Sequence, residues 1–97
     1  MNILFRLEQY TLKRRQEVLL ITAEVEGDRD QVAIFKGFSS SLMKPTAFDL
    51  DVPVLPESAR ILTIDRLLGP YDPAQPRYLQ QGLTWETIQP LLAEVGV

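Results

Sequence analysis

The chain has 97 residues, of which 45% are hydrophobic and 24% charged, and its formal net charge is -3. This composition is typical of a single soluble globular domain, and the acidic balance disfavours a dedicated nucleic-acid binder, which is usually basic. Because the chain has no cysteine and no histidine, disulfides, zinc sites and histidine-dependent triads are excluded within it, and we expect no metal and no cofactor.

The first segment, residues 2–11, alternates apolar and polar side chains. This alternation favours a strand, with a helix as the rival assignment. Arg6 and Glu8 interrupt the apolar run before a signal-peptide core can form, and no later run is long enough to span a bilayer. We therefore expect a cytoplasmic protein without membrane contact.

Residues 17–38 carry the clearest β pattern in the chain. Their first half places Leu19, Ile21 and Ala23 on one face of a strand, and the opposite face becomes acidic toward its end. A Gly-Asp turn sequence follows, and a second β-rich run then extends to Phe38. The pattern predicts an antiparallel hairpin within a three-stranded meander.

Prolines dominate the second half of the chain. Six of the seven lie between Pro45 and Pro76, so they divide this region into short extended pieces. Residues 48–52 alternate with period two and predict an edge strand, and residues 59–67 predict a further strand. A turn-rich loop follows over residues 68–76.

The chain closes with a helical pattern that Thr84 can cap, with Trp85, Ile88 and Leu92 on one apolar stripe. Proline costs about 3 kcal/mol inside a helix, so we expect either a kink at Pro90 or a helix that begins near it. Together the elements predict an α+β fold. We expect a curved antiparallel sheet of four or five strands, with a small open barrel as the alternative, and one C-terminal helix.

Three serines and a lysine stand together in GFSSSLMK. Ser41 and Lys44 match the S-x-x-K spacing of a serine nucleophile and its lysine, but Pro45 disfavours the helical geometry that this chemistry needs. The hydroxyls could instead surround a phosphate, or bond to nearby backbone where a strand ends. A small anion-binding protein, or a Lys- or carboxylate-dependent enzyme around residues 39–44, is the third functional hypothesis.

The favoured hypothesis is a non-enzymatic module that binds another protein through two Pro-rich loops, residues 39–57 and 68–79. Burying the apolar side chains of the first loop would yield about 10–20 kcal/mol, whereas ordering its backbone costs about 20–40 kcal/mol. This loop therefore needs strand pairing or a partner. The candidate interface residues are Leu42, Met43, Lys44, Phe48, Tyr71 and Tyr78. Homodimerisation through the predicted edge strand is a further possibility.

The second hypothesis is RNA or DNA binding through the basic turn at residues 13–15. Its candidate residues are Tyr10, Lys13, Arg14 and Arg15, which would contact phosphates and give a steep dependence on salt. Asp49, Asp51 and Asp65 could bind a hard cation, but charges on an outward-facing strand more often prevent edge-to-edge aggregation. We therefore expect no metal site there.

Three phrases, IFKGFSSSLMKPTAFD, VPVLP and GLTWETIQPLL, resemble those of a family of small uncharacterised cyanobacterial proteins. The family has relatives in plant chloroplasts, where the corresponding domain follows a transit peptide. The resemblance extends from about Leu12 to Leu92 and implies a cytoplasmic protein of a photosynthetic cell. It implies no activity, cofactor or catalytic residue.

Overall fold

The structure is a computed structural model, and it describes residues 3–42, 55 and 58–97. The helices and strands in these residues are α1 (Ile3–Lys13), β1 (Glu17–Val25), β2 (Asp28–Phe35), β3 (Phe38–Ser41), β4 (Arg60–Leu68), β5 (Tyr78–Leu83) and α2 (Trp85–Glu94). The strands form one antiparallel sheet in the order β3-β2-β1-β4-β5. The predicted α+β fold is confirmed, with an open sheet rather than a barrel.

The first element is a helix, so the predicted strand over residues 2–11 is wrong and the rival assignment is right. Leu4, Leu7 and Thr11 are buried at helical spacing, while Phe5, which a strand would place on the same face as Leu7, is exposed. The segment has apolar residues at the spacing of a strand and at the spacing of a helix, and its packing against the sheet selects the helix. The fold therefore has two helices in its described part, where one was predicted.

The predicted hairpin is confirmed as β1 and β2. The two-residue turn between β1 and β2 has positive φ at Glu26 and Gly27. The turn between β2 and β3 is similar, with positive φ at Lys36 and Gly37. Such turns match the twist of the flanking strands and favour glycine at the second position. The second turn ends β2 at Phe35, earlier than predicted, and begins a third strand.

The two faces of β1 are both buried, but against different partners. We define the inner face as the one that carries Leu19 and Ile21 and packs under both helices. The outer face carries Val18 and Leu20, which form a smaller apolar cluster with side chains of β2 and β4. The inner face contains the main core of the domain, and the helices leave the outer face uncovered.

The second half of the sheet agrees in part with the predictions. The strand predicted over residues 59–67 is confirmed as β4, and a register shift interrupts its pairing with β1 beside Thr22. Strand β5 was not predicted, since its sequence YLQQGL has no alternating pattern. The edge strand predicted over residues 48–52 lies outside the described residues.

Helix α2 begins at Trp85, directly after Thr84. The Thr84 side chain accepts a hydrogen bond from the Thr87 N–H, and the Thr87 hydroxyl accepts one from the Thr84 N–H, so the predicted cap is confirmed. The helix continues through Pro90, and the alternative in which it begins near Pro90 is wrong. No helix in the described part of the chain is long and apolar enough to cross a bilayer.

Candidate interaction surface

One side chain from every strand of the sheet contributes to a continuous row across the outer face. The strand registers pair Phe38 with Phe35, Phe35 with Val18, Val18 with Leu67, and Leu67 with Tyr78. Directly paired side chains lie on the same face, and their Cβ atoms are about 4.5–5.5 Å apart. We call these five residues the outer row.

The middle of the outer row is buried and both of its ends are exposed. Val18 and Leu67 are buried, whereas Phe38 is 62% exposed and Tyr78 is 43% exposed. The middle is covered by the loop that follows β4. Gly69 lies so close that a Cβ atom on it would be 2.6 Å from Cε1 of Phe35. The row therefore presents two separate aromatic ends beside a fixed centre.

Tyr71 packs against the outer apolar cluster and is only partly exposed. Its side chain therefore helps to cover the outer row, whereas the sequence predicted a Tyr71 side chain exposed for contact with a partner. Leu42 is exposed, and its N–H donates to the Gln31 carbonyl just beyond the end of β3. The other candidate interface residues, Met43, Lys44 and Phe48, lie outside the described residues.

Basic side chains lie beside the outer row, at one end of the sheet. The Gly69 N–H donates to the Gln16 carbonyl at 2.7 Å, and the Arg77 guanidinium donates to the Gly69 carbonyl at 3.4 Å. Lys36 Nζ lies 5.2 Å from the centroid of the Phe35 ring. These contacts bring together the turns that contain five of the ten basic residues. We call these five the basic end: Lys13, Arg14, Arg15, Lys36 and Arg77.

The opposite end of the sheet is acidic. The turn between β1 and β2, together with the strand ends beside it, carries Glu24, Glu26 and Asp28. Among the described contacts of these three, only Glu24 has a short ion pair, at 3.4 Å from Arg60. The two ends of the sheet thus differ in charge, in a chain that is acidic in total. A charge distribution of this kind orients partners that approach from solution.

Tyr10 is buried and does not lie with the basic residues that precede β1. Its hydroxyl donates to Glu17 at 2.7 Å, and the same carboxylate accepts two hydrogen bonds from Arg66. Burial, and then the bond to Glu17, raise the pKa of Tyr10 to about 12. Burial alone would raise the pKa of Glu17, but the hydrogen bonds from Arg66 and Tyr10 outweigh it and lower that pKa. This network stabilises the fold and leaves the second hypothesis with Lys13, Arg14 and Arg15.

The three serines lie in β3, and acidic groups accept hydrogen bonds from two of them. The Ser39 hydroxyl donates to Glu8 at 2.6 Å, and the Ser41 hydroxyl donates to Asp30 at 3.3 Å. A carboxylate next to a hydroxyl repels an anion, so this geometry gives the anion-binding hypothesis no support. The serines instead attach α1 and the first hairpin to the edge of the sheet.

Two further polar features lie on the outer face. A shallow depression of about 410 Å³ is lined by Thr22, Arg29, Gln31, Leu62 and Thr63. Asp65 accepts the Gly82 N–H at 2.8 Å, which fixes β5 against β4. No cluster of three or more Cys, Asp or Glu side chains with metal-binding geometry occurs within residues 3–42 and 58–97.

The sequence alone did not indicate four residues of this surface: Phe35, Lys36, Phe38 and Arg77. The signal for three of them was the Lys36-Gly37 pair, because a two-residue turn there places Phe35 and Phe38 opposite one another. The contribution of Arg77 depends on how the loop folds back over the row, and no local pattern indicates that.

These features define a small α+β domain with helices on one face of its sheet and an exposed aromatic surface on the other. The chain belongs to the protein family described as a domain of unknown function, DUF7734, whose profile matches residues 4–92. The expected membership of an uncharacterised family is thereby confirmed. No curated protein and no solved structure matches the chain.

Proposed function

We propose that the protein is a non-enzymatic interaction module that binds another protein through the outer face of its sheet. The observation that carries this proposal is the exposure of Phe38 and Tyr78 at the two ends of a row whose centre is buried. Aromatic side chains with large exposed area on a rigid framework are typical of residues that contribute most to binding energy. Leu42, four residues beyond Phe38, is also exposed.

The surface requires little ordering when a partner binds. Phe38 stands directly after a tight turn, and Tyr78 is paired with Leu67 in the sheet. Side chains of the two Pro-rich sequence segments, residues 39–57 and 68–79, would add contacts, and prolines lower the entropy lost on binding. Preformed surfaces of this kind bind without the cost of folding a disordered segment.

The arrangement of polar groups favours binding over catalysis. Among the described residues, every buried side-chain nitrogen or oxygen has a hydrogen-bond partner. The most buried charged pair, Glu17 and Arg66, is saturated by mutual bonds and by Tyr10. Groups bonded in this way hold the fold together and are poorly placed to exchange protons with a substrate.

The cellular setting is part of the same proposal. We place the protein in the cytoplasm of a cyanobacterium, because phrases such as GLTWETIQPLL resemble those of cyanobacterial proteins. Fractionation of such cells with an antibody against the protein tests this placement. Recovery in the periplasm would contradict it.

A pair of matched substitutions tests the binding function. Phe38→Ser removes an exposed aromatic from the outer row, and Phe5→Ser removes one of similar exposure, 52%, from α1. Each variant is expressed at native level, crosslinked in the cell, and compared with wild type by quantitative mass spectrometry. We expect Phe38→Ser to lose a specific crosslinked protein that Phe5→Ser retains. Equal recovery of every crosslinked protein from both variants would contradict the proposal.

A second function, RNA or DNA binding, is supported by the basic end. Lys36 and Arg77 join the turn that carries Lys13, Arg14 and Arg15, so this region is more basic than the sequence pattern indicated. Binding would weaken steeply with added salt and with Arg15→Ala, since phosphate contacts release counterions. Arg15 is the better test residue because Arg14 is paired with Glu94 at 3.6 Å.

A further inference from the structure

We propose that the partner presents an extended acidic segment, with an aromatic or aliphatic side chain among its carboxylates, to the Phe38 end of the outer row and the basic end. This inference rests on the proposed function and specifies the chemistry of the protein that is bound. It draws on the way in which apolar and basic groups meet around Phe35 and Gly69.

The Phe35 ring joins the two halves of this surface. Lys36 Nζ lies over the ring, Gly69 packs against its edge, and Phe38 is its cross-strand neighbour on the outer face. Arg77 contacts Gly69 from the other side of the loop. An apolar side chain that packs on Phe38 therefore brings its neighbouring residues within reach of Lys36.

The charges of the basic end favour carboxylates as the complementary groups. Of its five residues, Arg14 is paired with Glu94. The carboxylate of Asp72, in the loop after β4, accepts the Ala74 N–H within its own turn. Lys13, Arg15 and Lys36 are exposed at two adjoining turns. A segment with a few spaced carboxylates can pair with these side chains. The acidic turn at the far end of the sheet repels the same carboxylates, so it disfavours an orientation that would bring them there.

The geometry favours a protein segment over a nucleic acid. Strands β3 and β5 are four strand spacings apart, so the exposed aromatics Phe38 and Tyr78 are separated by about 19 Å. The loop at Gly69 covers the side chains between them. Single-stranded nucleic acids stack successive bases on neighbouring aromatics, and this row offers no such succession.

The test uses two short peptides of equal length and one oligonucleotide. The peptides are Glu-Glu-Phe-Glu-Leu-Glu and Lys-Lys-Phe-Lys-Leu-Lys, and the oligonucleotide is a single-stranded oligothymidine. Each is titrated into the isotopically labelled full chain, and amide resonances are followed by NMR. We expect the acidic peptide to shift the resonances of residues 35–38 and 77–78, with an affinity that falls as salt rises.

Charge reversal provides the matched control. Lys36→Glu alters the basic end, and Arg29→Glu makes the same charge change at an exposed position near the acidic turn. We expect Lys36→Glu to weaken the acidic peptide about tenfold, which equals about 1.4 kcal/mol, and Arg29→Glu to leave it unchanged. Circular dichroism confirms that both variants fold.

Several outcomes would overturn the inference. The acidic peptide could fail to shift the resonances of residues 35–38, or the lysine peptide could shift them equally. The oligothymidine could bind more tightly than the acidic peptide, or sedimentation could show that a second copy of the chain occupies the surface. If the peptide fails while the Phe38-dependent crosslink persists, the acidic chemistry is wrong and the interaction function stands. Loss of both results removes the proposed function as well.

Discussion

The guanidinium of Arg66 holds the carboxylate of Glu17 through two hydrogen bonds, with Nε 2.9 Å from Oε1 and Nη2 3.1 Å from Oε2. The pair connects the start of β1 to β4, and Gln80 on β5 accepts a third bond from Arg66 at 3.0 Å. Tyr10 adds a bond from α1. One carboxylate thus joins the sheet to the helix that covers it.

Removing one member of this pair should destabilise the fold more than removing both. Arg66→Met leaves the Glu17 charge buried without its main partner, and we expect the free energy of unfolding to fall by about 3 kcal/mol. The double substitution Glu17→Gln with Arg66→Met should lose less. Urea denaturation of Glu17→Gln, Arg66→Met and the double variant measures the three losses, and additive losses would contradict the expected coupling.

Glu17 should also make stability depend on acid pH. Because its pKa in the folded protein is lowered, its contribution is fully present above its ordinary pKa of 4.5 and is lost as pH falls through the folded value. Urea denaturation from neutral to acid pH should therefore show a steeper loss in wild type than in Glu17→Gln. Parallel curves for the two proteins would contradict this assignment.

Tyr10 acts at the alkaline side. Its pKa is raised to about 12, so its contribution is present below its ordinary value, about 10, and is lost as pH rises toward 12. Tyr10→Phe removes a hydrogen bond to a charged group, which is worth about 1.5–3 kcal/mol at neutral pH. The stability difference between wild type and Tyr10→Phe should shrink between these two pH values, as followed by denaturation at each pH. A constant difference would show that the hydroxyl does not titrate there.

Gly69 should tolerate no side chain while Phe35 is present. An added Cβ would lie 2.6 Å from Phe35 Cε1 and 3.1 Å from Cγ2 of Val18, so Gly69→Ala must displace the loop or the ring. We expect a loss of about 1–3 kcal/mol in the free energy of unfolding. The double variant Gly69→Ala with Phe35→Val removes the obstructing ring, and it should lose less than the two single losses combined. Purely additive losses would contradict the close approach.

Pro90 should be a site of simple stabilisation. It stands exposed inside α2, where a residue with an N–H could donate to the carbonyl of Glu86. We expect Pro90→Ala to raise the free energy of unfolding by about 1–3 kcal/mol, measured by thermal and urea denaturation. Pro76→Ala, in an exposed loop position, is the control and should not stabilise. A fall in stability for Pro90→Ala would indicate that the proline has a packing role in this helix.

Much of the sheet was predictable because strict alternation constrains a strand. The pattern of Leu19, Ile21 and Ala23 identified the inner face of β1 correctly, and the acidic end of its other face identified the solvent-exposed turn. The cap at Thr84 was equally local, since it depends on one hydroxyl and a neighbouring N–H. Features determined by a few adjacent residues were recoverable from the sequence.

The remaining features depend on distant contacts. Helix α1 has apolar residues at both strand and helix spacings, and only its packing on the sheet selects the helix. Strand β5 forms because β4 offers an open edge, although Gln80 and Gln81 have little β preference of their own. The outer row combines one residue from each strand, so it could not be located before the strand order was known.

The position of β1 determines how the domain opens. This strand is hydrogen-bonded along both edges, its inner face packs under the helices, and Val18 and Leu20 on its outer face are buried, so the backbone of its first half reaches water only when the sheet comes apart. The amide protons of Leu19 and Ile21 should therefore exchange with solvent at the rate of global unfolding, while those of β3 and β5 exchange through small local fluctuations. A ligand at the edges can dampen those fluctuations while the centre of the domain stays as it is.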